Sequence, residues 1–237
     1  TIIPQVQQAA YDAMTARNYT GAVVAIKPQT GEILALVSTP SYDPNPLASH
    51  DKDEQQTAWD QIRDEKNPKK PVLDRAIQEN YPPGSTFKLV VAAAALEDGK
   101  DENYLLPADP SIKLPGTNTE LENFSHSHCG PDGGAAQVTM AVALQYSCNT
   151  AFASLADQLG KQKLEDKAEA FGIGQQDLQI PLGVVASTIG KLPDRASLWR
   201  GPLCARRLLR PDFLLLSPDT RSGDDHSGPG QAVVVSI

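Results

Sequence analysis

The spacing of apolar residues changes period within the first forty positions. Over residues 5–14, Val6, Ala9, Ala10, Ala13 and Met14 fall along one side at helical spacing, which predicts a helix. Residues 22–26 and 33–37 are short strand-favouring runs, and Lys27-Pro28-Gln29-Thr30-Gly31 between them supplies turn chemistry, so a β-hairpin follows. Residues 40–51 are rich in Pro, Asp and Asn and read as a loop. Residues 53–70 are heavily charged without a clear apolar face, the pattern of a solvated helix or a mobile segment. Asp74-Arg75-Ala76 and the extended Glu79-Asn80-Tyr81-Pro82-Pro83 lead into Gly84, Ser85 and an apolar, alanine-rich run over 87–96. With Pro83 before it and Gly99 after it, that run predicts a buried helix opening at Ser85.

Residues 103–137 lack periodicity and read as mostly loop. A second buried helix is predicted from near Thr139 through Leu144, with Ser147 and Asn149 just beyond it, and a third over 151–159. An amphipathic helix over 163–171 is ended by Gly172. There are no internal repeats.

Length and composition support this organisation. With 237 residues and 40% hydrophobic content, the chain is long enough for a real core and for one domain, or one plus a fragment. The net charge of −8 gives no electrostatic reason to expect nucleic acid or a lipid surface as partner. No apolar run reaches membrane-spanning length, and there is no signal peptide. The chain opens at Thr1, so it reads as an internal piece of a longer protein whose anchor or export signal lies upstream. Cys129, Cys148 and Cys204 are too few for a disulfide framework. A Cys129–Cys148 bridge and free buried thiols both remain open.

Composition shifts near residue 191. Residues 1–191 hold 12 Lys and 3 Arg, whereas residues 192–237 hold no Lys, 6 Arg, no Glu and no Asn. Residues 1–191 are therefore read as the folded domain and 192–237 as an atypical tail, a frameshifted translation of a GC-rich gene; the alternative is an unusual genuine segment.

The candidate chemistry begins at Ser85-Thr86-Phe87-Lys88, an S-x-x-K. Positions i and i+3 share a helix face, so the Lys88 amine points at the Ser85 hydroxyl. A serine hydroxyl is a poor nucleophile and needs a base, and a lysine held in an apolar helix is desolvated toward its neutral form. The helix start adds free N–H groups, and the N–H of Ser85 itself is a candidate oxyanion donor. A lone S-x-x-K is common by chance; the Pro-Pro-Gly stop and the apolar helix make this one specific. Tyr146-Ser147-Cys148-Asn149-Thr150 contains an S-x-N. Read as a short extended link, it turns Ser147 and Asn149 the same way, Ser147 to relay a proton and Asn149 to bind a peptide-like substrate. A helix cap is the plainer reading of an S-x-N taken alone, but the S-x-x-K 62 residues upstream reverses that preference.

S-x-x-K with S-x-N is the pattern of penicillin-binding proteins and class A β-lactamases. TGEILALVSTPSYDPN, LDRA, YPPGSTFK, YSCNT and FGIG extend the likeness, and over roughly residues 1–195 the chain resembles class B penicillin-binding proteins of the actinobacterial, mycobacterial type. The resemblance implies an α/β transpeptidase fold, an antiparallel sheet flanked by helices, here C-terminally incomplete. It implies Ser85 as nucleophile, Lys88 as base, and Ser147 and Asn149 as the second motif. It further implies peptidoglycan D,D-transpeptidase activity on D-Ala-D-Ala stem peptides and acylation by β-lactams, with no metal or organic cofactor. The site of action would be extracytoplasmic, with an upstream membrane anchor and division or elongation proteins as partners of the N-terminal region.

The third family motif, Lys-Thr-Gly on a strand, is missing; Arg221-Ser222-Gly223 is the nearest string. Its absence predicts uncovered apolar helix faces and a chain that is unstable or inactive as written. It also supports a rival reading as a non-catalytic penicillin-binding or sensor module. A β-lactam hydrolase ranks below both, because no glutamate lies in a recognisable deacylating motif. His126, His128 and Cys129 match no common zinc spacing and read as a solvated loop. The carboxylates over 51–65 read as a solvated face.

Overall fold

The computed structural model describes residues 2–64, 66–114, 118–131, 133–178, 180, 182–189 and, for the backbone, 231–236. In chain order the elements are α1 (Pro4–Thr15), β1 (Gly21–Lys27), β2 (Glu32–Thr39), α2 (Lys52–Arg63), α3 (Arg75–Gln78), α4 (Phe87–Glu97), β3 (Leu105–Pro107), β4 (Ser111–Lys113), β5 (Glu120–Glu122), β6 (Gln137–Thr139), α5 (Met140–Gln145), α6 (Asn149–Leu159), α7 (Lys161–Ala170) and β7 (Gln231–Ser236). The described residues divide into two compact units, one built on residues 2–81 with β7, the other on residues 82–178.

The first unit is built on the predicted hairpin. β1 and β2 pair antiparallel, with Val23 opposite Val37 and a bulge between Ala25 and Ile26. The predicted amphipathic helix, α1, places Met14 in a small cluster with Val23 and Val37. Gln7 fixes it to β2: its amide donates to the Leu36 carbonyl and accepts from the Leu36 N–H, both at 2.8 Å. β7 adds to the other side of β1, in the order β2-β1-β7, and runs parallel to it. The sheet is thus mixed, not the antiparallel sheet expected. A short turn forces β1 and β2 antiparallel, whereas a strand arriving about two hundred residues later carries no such constraint.

The charged stretch after the loop forms α2, which has no buried residue and is capped by the Asp51 carboxylate accepting from the N–H of Asp53 at 2.8 Å. Arg75 in α3 is buried, and its guanidinium donates to the carbonyls of Lys69 (2.7 Å) and Lys70 (3.3 Å) and pairs with Glu79. Such a buried charge is tolerated because its donors are used.

The second unit carries the larger core. Ala95 of α4, Leu106 of β3, Ala143 of α5, and Ala151 and Leu155 of α6 are fully buried together. The alanines let helix backbones approach closely, and each fully buried leucine contributes roughly 1.5–3 kcal/mol. The region expected to be mostly loop contains β3, β4 and β5, paired as β3–β6 and β4–β5. Apart from Lys88 and Glu97, α4 is apolar, yet Leu89 and Leu96, seven residues apart, are 56% and 52% exposed.

Candidate active site

Ser85 sits in a 3-10 turn, Gly84–Thr86, immediately before α4, rather than in the helix itself. Gly84 makes that turn: it is buried with φ +57°, a conformation costly for any residue with a Cβ. The Thr86 hydroxyl donates to the Pro83 carbonyl, closing the turn. The helix begins two residues later than predicted, but Lys88 still follows Ser85 by one turn, and its Nζ lies 3.3 Å from Ser85 Oγ.

The second motif is placed by a turn that the extended-link expectation did not foresee. α5 ends in a Schellman motif: the Ser147 N–H donates to the Leu144 carbonyl (3.0 Å) and the Cys148 N–H to the Ala143 carbonyl (2.9 Å). Ser147 occupies the left-handed position at φ +53°, where glycine is usual. This turn aims the Ser147 carbonyl and hydroxyl at Lys88 Nζ, at 2.5 and 3.0 Å. The Ser147 hydroxyl also donates to Ser85 Oγ at 3.0 Å. Asn149 is the first residue of α6, and its Oδ1 lies 2.8 Å from Lys88 Nζ. Its Nδ2 donates to the Glu122 carbonyl at 2.9 Å, which fixes the amide with its oxygen toward the lysine. Ser85, Lys88, Ser147 and Asn149, each a candidate from the sequence, therefore meet around one amine.

Lys88 is 3% exposed, and burial pushes its amine from the ordinary 10.5 down to about 8. Among the described residues no carboxylate lies within ion-pair distance of it. A neutral amine has two N–H donors and one lone pair. The Ser147 carbonyl and Asn149 Oδ1 can only accept, so they use both donors. The lone pair is then left for a hydroxyl, that of Ser85 or Ser147. A proton can pass from Ser85 to Lys88 directly or through Ser147 Oγ, a centre equipped for nucleophilic acyl transfer.

Cys129 and Cys148 form a disulfide with Cα atoms 5.6 Å apart, settling the pairing that the sequence left open. It ties the segment before β6 to the middle of the second motif. Cys129 is accordingly not available as a thiolate ligand, and His126 Nδ1 faces Glu122 at 3.2 Å. Asn123 escaped the sequence reading. It is 7% exposed, and its Oδ1 accepts from the N–H groups of Asn149 (2.8 Å) and Thr150 (3.1 Å). Only its place after the short strand β5 hints at this, and that signal is weak. Arg221-Ser222-Gly223 and the tail over 192–230 lie outside the described residues.

Two hydroxyls hydrogen-bonded to one buried amine is an arrangement that serine acyl transfer can use. Residues 21–199 match the family described as "Penicillin binding protein transpeptidase domain", and the chain belongs to it. It is 48% identical over 201 residues to the peptidoglycan D,D-transpeptidase PbpA of Mycobacterium tuberculosis, covering 84% of this chain and 40% of that protein. The solved penicillin G acyl-enzyme complex of M. tuberculosis penicillin-binding protein A superposes with a TM-score of 0.77 at 47% identity, over 83% of this chain and 45% of that one. The D,D-transpeptidase domain of a peptidoglycan glycosyltransferase from Eggerthella lenta gives 0.69 at 30% identity, over 94% and 48%. The chain thus spans less than half the length of these relatives. Among the described residues no helix is long and apolar enough to cross a membrane.

Proposed function

We propose that this chain performs the acyl-transfer chemistry of a peptidoglycan D,D-transpeptidase, with Ser85 as the acylated nucleophile. The observation that carries the reading is the buried Lys88 amine, within 3.3 Å of Ser85 Oγ and 3.0 Å of Ser147 Oγ. In the first step Ser85 Oγ bonds to the D-Ala-D-Ala carbonyl carbon, and its proton goes to Lys88, directly or through Ser147. The tetrahedral intermediate then collapses, the C–N bond to the terminal D-Ala breaks, and the proton returns to the leaving amine. The amine of a second stem peptide then bonds to the ester carbon, the C–O bond to Ser85 breaks, and the amine's proton passes by way of Lys88 to Ser85 Oγ. A β-lactam follows the first step, and its ring opening keeps the leaving group attached. Asn149 binds the substrate amide. The substrates are peptidoglycan stem peptides met on the extracytoplasmic side, under an upstream anchor, with division or elongation proteins as partners.

A second reading is favoured by the absence of Lys-Thr-Gly from the sequence, the element that would bind the substrate carboxylate. Under it, the chain is acylated slowly by penicillins and does not cross-link. Both readings meet one experiment: intact mass after exposure to benzylpenicillin, with the adduct mapped by proteolysis, beside D-Ala release from a stem-peptide mimic. Wild type is expected to gain one opened penicillin on Ser85, and Ser85→Ala none. Equal labelling of the two proteins defeats both readings. Labelling without D-Ala release selects the second.

A further inference from the structure

We propose that Asn123 is the positioning residue of the second motif: from the loop after β5 it caps α6 and sets Asn149 against Lys88. α6 needs an external cap. Its N-cap residue, Cys148, makes no side-chain cap hydrogen bond, and its sulfur is committed to Cys129. The first N–H groups of a helix have no intrahelical partner, and leaving them unmet in a buried setting is costly. Asn123 Oδ1 meets two of them, those of Asn149 and Thr150, while the Thr150 hydroxyl donates to the Asp109 carbonyl at 2.8 Å.

The other half of the amide fixes Asn123 in turn. Nδ2 donates to the carbonyls of Asp109 and Ser127, each at 3.1 Å, and the backbone N–H donates to the Pro110 carbonyl at 2.9 Å. Every polar atom of this buried side chain is thus used. Its neighbour Glu122 supplies the carbonyl that orients the Asn149 amide. Two consecutive residues therefore hold both the main chain and the side chain of Asn149. Asn149 Oδ1 is one of the two pure acceptors that occupy the N–H groups of a neutral Lys88, leaving its lone pair for a hydroxyl. Asn123 touches neither substrate nor reacting atoms; it acts through Asn149.

The inference rests on the acyl-transfer reading, and its test separates the two. Asn123→Leu keeps the volume and removes every hydrogen bond, whereas Asn123→Asp keeps the accepting oxygen. Leu164→Ala, in the α7 core, serves as a variant destabilised without contact to the motif. Acylation by a fluorescent penicillin and amide hydrogen exchange are measured on folded protein below each thermal midpoint. Asn123→Leu is expected to raise exchange at the Asn149 and Thr150 N–H groups and to slow acylation, each by about tenfold or more. Asn123→Asp keeps the cap but turns an acceptor toward the Asp109 and Ser127 carbonyls, so it should restore only part of the exchange protection, and Leu164→Ala should change neither readout beyond its global destabilisation. The proposal is overturned if Asn123→Leu acylates within about twofold of wild type, or if Asn149 and Thr150 stay protected. Should wild type itself take no penicillin, the acyl-transfer reading falls, and the exchange data alone decide whether Asn123 positions the motif.

Discussion

Two residues at this site accept a cost that an ordinary fold would avoid. Ser147 holds a left-handed conformation at φ +53°, at a helix-end position that glycine fills more cheaply. The cost is explained by what a glycine would lose, the hydroxyl shared between Lys88 and Ser85. Ser147→Gly should therefore stabilise the protein by about 1 kcal/mol, raising the melting midpoint by roughly 2–4 °C. It should also slow penicillin acylation by about a hundredfold, the scale of a lost proton relay. Differential scanning calorimetry and acylation kinetics on the one variant check both halves; a faster or unchanged acylation would remove Ser147 from the proton path. Lys88 is the other costly residue. Because burial lowers its amine to about 8, the neutral base becomes available near that pH. The acylation rate should climb about tenfold per pH unit below 8 and level off above it. Stability has its own sign. Between about 8 and the ordinary 10.5 the unfolded chain binds the proton that the folded chain has released, so stability should rise with pH across that window. Lys88→Met should abolish both dependences, measured by pH-resolved kinetics and thermal melts.

At the scale of elements, the second unit is held by an apolar core and clamped at one end by charge. Leu155 in α6 is fully buried, and Leu155→Ala should cost ~2–5 kcal/mol in a chemical denaturation experiment. Asp98, the C-cap of α4, receives Lys100 at 2.6 Å and Lys163 of α7, and these hydrogen bonds hold its carboxyl at about 2. A lowered carboxyl stabilises the fold above its ordinary 3.8, and the contribution disappears as pH falls through about 2. Asp98→Asn should accordingly lower the thermal midpoint at neutral pH, with the difference from wild type fading in strong acid.

The elements differ in how far they could be read from the chain. α1 and the β1–β2 hairpin were legible because their periods are local and their turn residues specific. The Ser85–Lys88 pair was legible for the same reason, since one turn of backbone carries both groups. β3, β4, β5 and β6 are three residues each, too short to show any period. The second motif was found, but its geometry was misassigned, because a serine stands where the turn would ordinarily advertise itself with glycine. Asn123 was invisible because its partners lie 26 and 27 residues further on, and no local pattern encodes such a contact.

At the scale of the whole molecule, the question is what the chain past residue 191 contributes. The four candidate residues and Asn123 all lie within residues 82–178, in the second unit. Their mutual geometry depends on Gly84, on the turn at Ser147 and on the loop after β5, all of which precede the change in composition. The hydrogen bonds around Lys88 are therefore all made by residues that precede the tail. The tail's composition, arginine without a single lysine, glutamate or asparagine, suits a reading frame that selection did not shape. If so, translating the coding DNA in the other two frames past codon 191 should give a lysine-containing continuation with strand periodicity and a Lys-Thr-Gly or Lys-Ser-Gly. A protein carrying that continuation should acylate faster than the present chain, with Ser85 still the site of the adduct. It should also cover Leu89 and Leu96, since large apolar side chains on so apolar a helix are stabilised by enclosure. Solvent labelling of α4 would report that protection independently of activity. If neither frame offers such a continuation, the tail is the protein's own and the frameshift reading is wrong.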